Sequence, residues 1–205
     1  MFHLSTVESQ TYSLLKEVFK VPFINQNFGL AGGTSLALQI GHRKSIDLDF
    51  FSDQIFNPTD LENLLAGYTK WKYEPLSRSE RMLFCNINSI KCDFVNEPFQ
   101  LINPFIFEDG IKLYSVPDIA AMKLHTICGR GKKKDFFDVY SLLHKNNWKE
   151  LVEWFNIKYG PSQLFFLMKS ISYFVDADED VEIRGLPPFT HSWAEIKRTI
   201  IEKCH

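Results

Sequence analysis

Two aspartates separated by a single residue, Asp47 and Asp49, are the strongest chemical signal in the sequence. Alternation along a strand places Ile46, Leu48 and Phe50 on one face and both carboxylates on the other. Like charges on one face repel each other unless a cation lies between them. Because Mg²⁺ (or Mn²⁺) prefers carboxylate and phosphate oxygens, the pair predicts a metal site.

A glycine turn, Gly32-Gly33-Thr34-Ser35, closely precedes this pair. Glycines allow backbone amides to approach a ligand, and the residues from Ser35 to Ile40 have helical character. The start of a helix binds phosphate well. We therefore expect Gly32, Gly33, Thr34 and Ser35 to hold the triphosphate of an NTP, although either motif alone is also compatible with an ordinary turn and a solvated strand.

A third carboxylate is expected from a hairpin whose strands, Met82 to Ile87 and Ile90 to Val95, are joined by Asn88-Ser89. A two-residue loop pairs apolar residues on one face and turns Asp93 to the other. The pairs are Ile87 with Ile90, Cys85 with Cys92, and Leu83 with Phe94. Asp47, Asp49 and Asp93 would then converge on one open face and bind metal, as in two-metal phosphoryl transfer. The simpler alternative for Asp93 is a surface position on the strand.

The run GGTSLAL, followed by HRKSIDLDFFS, resembles the AbiEii/AbiGii toxin family of the DNA polymerase β-like nucleotidyltransferase superfamily. Thr34 stands where many superfamily members carry Ser and retains the hydroxyl. The resemblance implies that Asp93 is the superfamily's third carboxylate, carried by a later strand. It also implies a bacterial toxin that transfers a nucleotide, with a cognate antitoxin as a partner.

The stretch SVPDIAAMKLHTICGRGKKKDFFDVYSLL resembles a second signature of that family. The resemblance implies that Lys123 neutralises charge on the leaving pyrophosphate, and that Asp135 or Asp138 positions Lys123 or an acceptor hydroxyl. The spacing does not choose between the two aspartates. An isolated helical Lys would otherwise be taken as solvated.

Basic residues flank both motifs and are candidates for binding a triphosphate or an RNA backbone. Arg43 and Lys44 precede the Asp47/Asp49 pair, and the run from Lys132 to Lys134 follows Arg130. Solvated loops are the alternative for each group. Those assigned to nucleotide binding are Arg43, Lys44, Arg130 and Lys134.

The elements that must position these side chains are a strand, helix and strand around the glycine turn, with more strands and then helices. A capping-box pattern, Ser5 to Glu8, predicts a first helix ending near Lys20. Asn57-Pro58 predicts another helix start, and a strand is expected over Thr69 to Leu76, followed by a turn at Ser77 to Glu80. Later helices are expected over 119–128, 136–145, 148–158, 162–174 and 193–203.

We therefore predict an α+β protein. A mixed-sheet nucleotidyltransferase domain with flanking helices would occupy residues 1–116. A helical domain over residues 117–205 would complete the cleft.

Composition excludes several classes of protein. The chain has 205 residues, a formal net charge of −2 and 19 Phe, which fits a globular protein rather than a generally basic or disordered one. No signal peptide and no membrane span is expected, so we predict a cytoplasmic protein. The spacing of Cys85, Cys92, Cys128 and Cys204 suits neither a disulfide framework nor a zinc site, and free thiols are expected.

The function expected from these patterns is Mg²⁺-dependent transfer of a nucleoside monophosphate from an NTP to an acceptor hydroxyl, with RNA, and tRNA in particular, as the acceptor implied by the resemblance. The alternatives are a small-molecule nucleotidyltransferase of the antibiotic-modifying type and a catalytically silent binding module of the same fold. The preferred base and the oligomeric state are not indicated by the sequence.

Overall fold

The computed structural model describes residues 1–204, and these form a seven-stranded mixed sheet with ten α-helices in the described chain. The strands are β1 Gly29–Ala31, β2 Leu48–Ser52, β3 Tyr73–Ser79, β4 Met82–Ile87, β5 Ile90–Asn96, β6 Ile106–Glu108 and β7 Ile111–Leu113. The helices are α1 Ser9–Phe19, α2 Pro22–Asn27, α3 Gly32–Ile40, α4 Pro58–Ala66, α5 Val116–Gly129, α6 Lys133–Leu142, α7 Trp148–Tyr159, α8 Leu164–Ser170, α9 Val175–Asp178 and α10 Trp193–Cys204. The α+β class is thus confirmed.

The sheet order is β3-β4-β5-β2-β1-β7-β6. β2 runs antiparallel to β1 and parallel to β5, so the Asp-x-Asp strand is central. The β4–β5 hairpin has the expected register, with Ile87 opposite Ile90 and Cys85 opposite Cys92. Asn88 and Ser89 both have positive φ, as a tight two-residue hairpin turn requires.

Two hydrophobic clusters lie on the two sides of the sheet. One joins α1, α2 and α4 to the apolar faces of β2, β4 and β5, and it includes Leu48, Phe50 and Phe94. The other joins α3 to the helices that follow the sheet, and it includes Leu36, Phe136 and Tyr140. The carboxylate-bearing face of β2 and β5 therefore lies toward α5 and α6.

Several expected boundaries are wrong. The first α-helix begins at Ser9, one residue after Glu8, so Ser5 and Glu8 do not form a capping box; Thr6 instead donates its hydroxyl to the His3 carbonyl. The expected strand before the glycine turn is confined to Gly29–Ala31, and residues 22–27 ahead of it form α2, which begins with a proline in its first turn. β3 starts at Tyr73 and continues through the expected turn to Ser79, because Arg78 and Ser79 pair with β4.

Capping contacts define two other helix starts. The start of α4 is confirmed, whereas α5 begins at Val116, three residues before the start expected at 119. Asn57 accepts hydrogen bonds from the amides of Thr59 and Asp60 at the start of α4. Ser115 caps α5 by accepting from the Asp118 amide.

In the described residues 1–204 all four cysteines are free, as expected. No helix there has the length and apolar character of a membrane span.

Candidate active site

A cleft of about 350 Å³ lies between the polar face of β2 and β5, the start of α3, and helices α5 and α6. Its walls are dominated by charge. The cationic side chains are Arg43, Lys91, Lys123, Arg130, Lys132 and Lys134, and the carboxylates are Asp47, Asp49, Asp93 and Asp135. An excess of cations around clustered carboxylates suits a polyanionic ligand bound together with a metal ion.

Asp49 and Asp93 lie directly opposite each other on the neighbouring parallel strands β2 and β5. Burial, and then the nearby Asp93 charge, raise the pKa of Asp49 to about 6. One carboxylate oxygen of Asp93, Oδ1, is buried without a hydrogen-bond partner, while the other pairs with Lys91. The two carboxylates are therefore a strained acidic pair that a further cation would stabilise.

Asp47 lies one residue before β2 and its side chain is 31% exposed. Its carboxylate is 3.7 Å from the ammonium group of Lys134 on α6. This contact links the sheet to the helical part of the chain across the mouth of the cleft.

The metal set expected from Asp47, Asp49 and Asp93 is not preassembled. Among residues 1–204, no group of three His, Cys, Asp or Glu side chains is placed closely enough to hold a metal ion. Two of the three carboxylates face lysines instead: Asp93 pairs with Lys91, and Asp47 lies 3.7 Å from Lys134. The donor chemistry still fits a hard divalent cation, because all three groups are carboxylates in one cleft and Asp93 has an unpartnered oxygen.

The two glycines of the turn make room for charged groups. Gly32 has a φ of +65°, and a Cβ there would lie 2.1 Å from Oδ2 of Asp49. A Cβ on Gly33 would lie 2.2 Å from the Nη2 atom of Arg43. The absence of side chains therefore lets a carboxylate and a guanidinium reach the first turn of α3, at the cleft wall.

Thr34 and Ser35 do not present their hydroxyls to the cleft, contrary to the expectation that they hold a triphosphate. Both are fully buried. The Thr34 hydroxyl donates to the Asp47 carbonyl and lies 2.9 Å from the Ser45 hydroxyl, and Gln39 donates to the Ser35 hydroxyl at 3.1 Å. Thr34 therefore holds the backbone of Asp47 in place, and the hydroxyls of Thr34 and Ser35 already form hydrogen bonds within the protein.

Asp138 is the centre of a buried ionic network. Its carboxylate accepts from Nε and Nη2 of Arg43 at 2.6 and 3.0 Å and from Nε2 of His42 at 2.7 Å, and it lies 2.7 Å from Nζ of Lys123. Burial alone would raise the pKa of Asp138, but the charges of Arg43 and Lys123 outweigh it and hold that pKa well below its usual range. Asp138 does not line the cleft, so it positions two cations that do.

Asp135 differs from Asp138 although the two share one helix. Its Oδ1 is 2.9 Å from Nζ of Lys123, and its buried Oδ2 has no partner. Asp135 lines the cleft. The opposing charges of Asp138 and Asp135 overcome burial and raise the pKa of Lys123, which therefore stays charged. Of the two aspartates left open by the sequence, Asp135 is the one in reach of a ligand.

The remaining cations are divided by the fold. Arg130, Lys132 and Lys134 line the cleft, as expected of a nucleotide-binding surface. Lys44 is exposed outside it, and only its carbonyl takes part, by accepting from Nη1 of Arg43 at 3.0 Å. Lys133 is also outside the cleft, contrary to its inclusion in the basic run.

Lys133 is buried in a different set of contacts. Its ammonium group donates to the Asp180 carbonyl at 2.7 Å and lies 3.1 Å from the Glu182 carboxylate. The basic run therefore contributes two side chains to the cleft, and the third anchors the acidic loop that follows α9.

Lys91 lines the cleft but was not predicted as a site residue from the sequence. Lys91 had a usable signal, because it lies two residues before Asp93 on a strand and so shares its face. Ser45, which touches Thr34 and lines the cleft, had none.

The chain is similar to known proteins in sequence. A family model described as the nucleotidyl transferase AbiEii toxin of a type IV TA system matches residues 13–81 and 87–158. An uncharacterized protein of Aquifex aeolicus is 34% identical over 191 residues, which is 89% of this chain and 88% of that protein.

Solved structures share the fold at low identity. A candidate nucleotidyltransferase from H. pylori superposes with a TM-score of 0.55 and 16% identity, covering 96% of this chain and 94% of that one. MenT4, a nucleotidyltransferase toxin of Mycobacterium tuberculosis, superposes with a TM-score of 0.54 and 13% identity, covering 96% and 84%. The predicted nucleotidyltransferase fold is thereby confirmed.

Proposed function

Because the chain belongs to the AbiEii nucleotidyltransferase toxin family, we propose that it transfers a nucleoside monophosphate from an NTP to a hydroxyl of an RNA acceptor, tRNA being one candidate, in a reaction that requires Mg²⁺ or Mn²⁺. The observation that carries the proposal is the pairing of Asp49 with Asp93 across adjacent strands, in a cleft lined by six cationic side chains. A pair of carboxylates in such surroundings is suited to metal-assisted phosphoryl transfer.

Asp47, Asp49 and Asp93 would hold the divalent ion once its charge replaced those of Lys91 and Lys134 on the carboxylates. When bound, the metal lowers the charge repulsion between the triphosphate and the acceptor oxygen. A Gly33 amide at the start of α3, together with Arg43, would hold phosphate oxygens. Arg130 and Lys134 would add charge from the other side of the cleft.

In the proposed reaction, the acceptor oxygen forms a bond to the α-phosphorus while the bond to pyrophosphate breaks. The proton of the acceptor hydroxyl passes to the Asp93 carboxylate, whose buried Oδ1 has no hydrogen-bond partner within the protein. Lys123 stays protonated between Asp135 and Asp138 and stabilises the charge on the departing pyrophosphate. Asp138 keeps Lys123 and Arg43 in place throughout.

Further parts of the proposal rest on the family and on the substrates. The reaction takes place in the cytoplasm, where NTPs and RNA are available. A cognate antitoxin counteracts the transfer.

The test is incubation with each α-labelled NTP and total RNA, with and without EDTA, for wild type and Asp49→Asn. We expect label in RNA from the wild type with metal, and a loss of at least about 100-fold for Asp49→Asn, as for removal of a group that acts directly on the transition state. Label in a small molecule but not in RNA would assign the acceptor to the other class. Equal incorporation by Asp49→Asn would contradict the proposed site.

A further inference from the structure

A second cavity adjoins the cleft and shares two residues with it, Asp47 and Lys91. Its volume is about 410 Å³, within the roughly 300–1,000 Å³ of ligand pockets. It runs between the start of α1 and the turn of the β4–β5 hairpin. We call this cavity the side groove, and its defining residues are Gln10, Ile46, Asn86, Ser89 and the shared pair.

The lining of the side groove differs in chemistry from the cleft. Apart from the shared pair, Glu8 is the one charged side chain among its described lining residues. Amide and hydroxyl groups dominate, with Ile46 64% exposed beside them. A triphosphate would find one cation there, at the junction, whereas the cleft offers six. The side groove therefore suits a ligand with neutral polar edges and flat apolar faces.

Single-stranded RNA has this chemistry. Its unstacked bases present hydrogen-bonding edges that amide side chains recognise, and its 2′-hydroxyls both donate and accept. The exposed side chain of Ile46 offers an apolar surface for one face of a base to pack against. Its phosphates are spaced out along the strand, so one cation at the junction is enough to meet the last of them. Lys91 lies at that point, paired with Asp93.

The position of the side groove beside the cleft also favours an acceptor strand as its ligand. A strand that lies in the side groove and continues past Lys91 brings its terminal hydroxyl to Asp93, the carboxylate with an unpartnered oxygen. Arg130, Lys132 and Lys134, where α5 meets α6, are then available to bind the NTP. The hairpin turn forms a fixed wall because the backbone of Asn88 holds positive φ and its side chain accepts from the Lys72 amide at 2.9 Å.

We propose that the side groove binds the nucleotides that precede the acceptor hydroxyl of a single-stranded RNA end, with Lys91 at the last phosphate. This inference rests on the proposed function and assigns the acceptor its own site, separate from that of the NTP.

The test uses opposite charges at one exposed position, Gln10, in the first turn of α1. Gln10→Glu repels a passing phosphate and Gln10→Lys attracts it. We expect the KM for RNA to rise about threefold with Glu and to fall by a similar factor with Lys, the size expected for one exposed charge near one phosphate in water. Both changes should shrink as salt is raised. Gln163→Glu, outside both cavities, is the matched control and should leave the KM for RNA unchanged.

A photocrosslink provides an independent readout. RNA carrying 4-thiouridine at the residue before its 3′ end should crosslink to peptides containing residues 8–11 or 86–91. Crosslinks confined to 130–134, or equal KM values for RNA in the two Gln10 variants at low salt, would overturn the side groove while leaving RNA transfer by the wild type intact. Absence of any label in RNA from the wild type would instead remove both proposals.

Discussion

Asp138 should contribute more to the stability of this protein than any other charge in the cleft region, and its isosteric neutralisation tests the network. Asp138→Asn leaves Arg43 buried without its carboxylate and leaves Lys123 with Asp135 alone. Removing one partner from a buried ion pair costs about 3–5 kcal/mol because the remaining charge is uncompensated. For a chain of this size, where 1 kcal/mol shifts Tm by roughly 2–4 °C, the Tm should fall by about 6–20 °C.

Asp135→Asn is the matched control, since it makes the same chemical change three residues earlier on the same helix. Asp135 has one cationic partner, Lys123, and one oxygen without any. Lys123 would keep Asp138. The loss should therefore be that of a single charged hydrogen bond, about 1–3 kcal/mol. Thermal unfolding followed by circular dichroism would measure both variants, and an equal or larger loss for Asp135→Asn would refute the assignment of Asp138 as the centre.

The direction of the pKa shift of Asp138 determines how the Tm difference between wild type and Asp138→Asn depends on pH. The pKa of Asp138 is lower in the folded protein than the value of about 3.9 in an unfolded chain. The stabilisation is therefore fully present above that unfolded value and is lost as the pH falls toward the folded pKa. The Tm difference between wild type and Asp138→Asn should be constant from pH 7 to about 5 and should narrow only in stronger acid. A difference that disappeared already at pH 6 would contradict the ionic account.

Three further predictions concern the glycine turn and the strand beside it. Gly32→Ala should abolish nucleotidyl transfer, because its Cβ would lie 2.1 Å from an oxygen of Asp49. Gly110→Ala is the control, because Gly110 has a φ of +76° but open space around its Cβ. This change should cost only about 1 kcal/mol of backbone strain and keep activity in the same transfer assay. Asp49→Asn should raise the Tm of the metal-free protein at pH 7.5 by a few degrees, because a carboxyl whose folded pKa is raised to about 6 destabilises the fold once ionised. Added Mg²⁺ should stabilise the wild type selectively. An Asn variant less stable than wild type without metal would count against this account. Thr34→Val should lower stability by about 1–3 kcal/mol in urea unfolding and reduce transfer through misplacement of Asp47, whereas Thr34→Ser should retain both.

The features that the sequence predicted well are those determined by short-range geometry. Alternation and a two-residue loop fix the hairpin register, so the orientation of Asp93 could be derived from the residues around it. The same period of two placed Asp49 on the face opposite Leu48 and Phe50. It did not extend to residues before β2, because Ile46, expected on the apolar face, is 64% exposed. In the hairpin, the turn and the strand period together leave a single arrangement that buries the apolar side chains.

The features that could not be derived join distant parts of the chain. Arg43 and Asp138 are 95 residues apart, and no local pattern pairs them. The burial of Thr34 is equally non-local, since it depends on the return of Ser45 and Asp47 beneath α3. A threonine hydroxyl has the same hydrogen-bonding chemistry whether it faces a ligand or the interior, so the residue type of Thr34 alone does not decide between the two roles.

The misassignment of Lys133 has a different, local cause. The helix was expected to begin at Phe136, which leaves Lys132 to Lys134 as an open turn, but α6 begins at Lys133. From that start, Lys133 lies three and four residues before Phe136 and Phe137, both buried, and so belongs on the buried face of the helix. Lys132 precedes the helix and Lys134 is rotated away from Lys133 by one helical step. Three like charges in sequence therefore separate into two that line the cleft and one that holds the loop at Asp180, once the first turn of the helix is placed correctly.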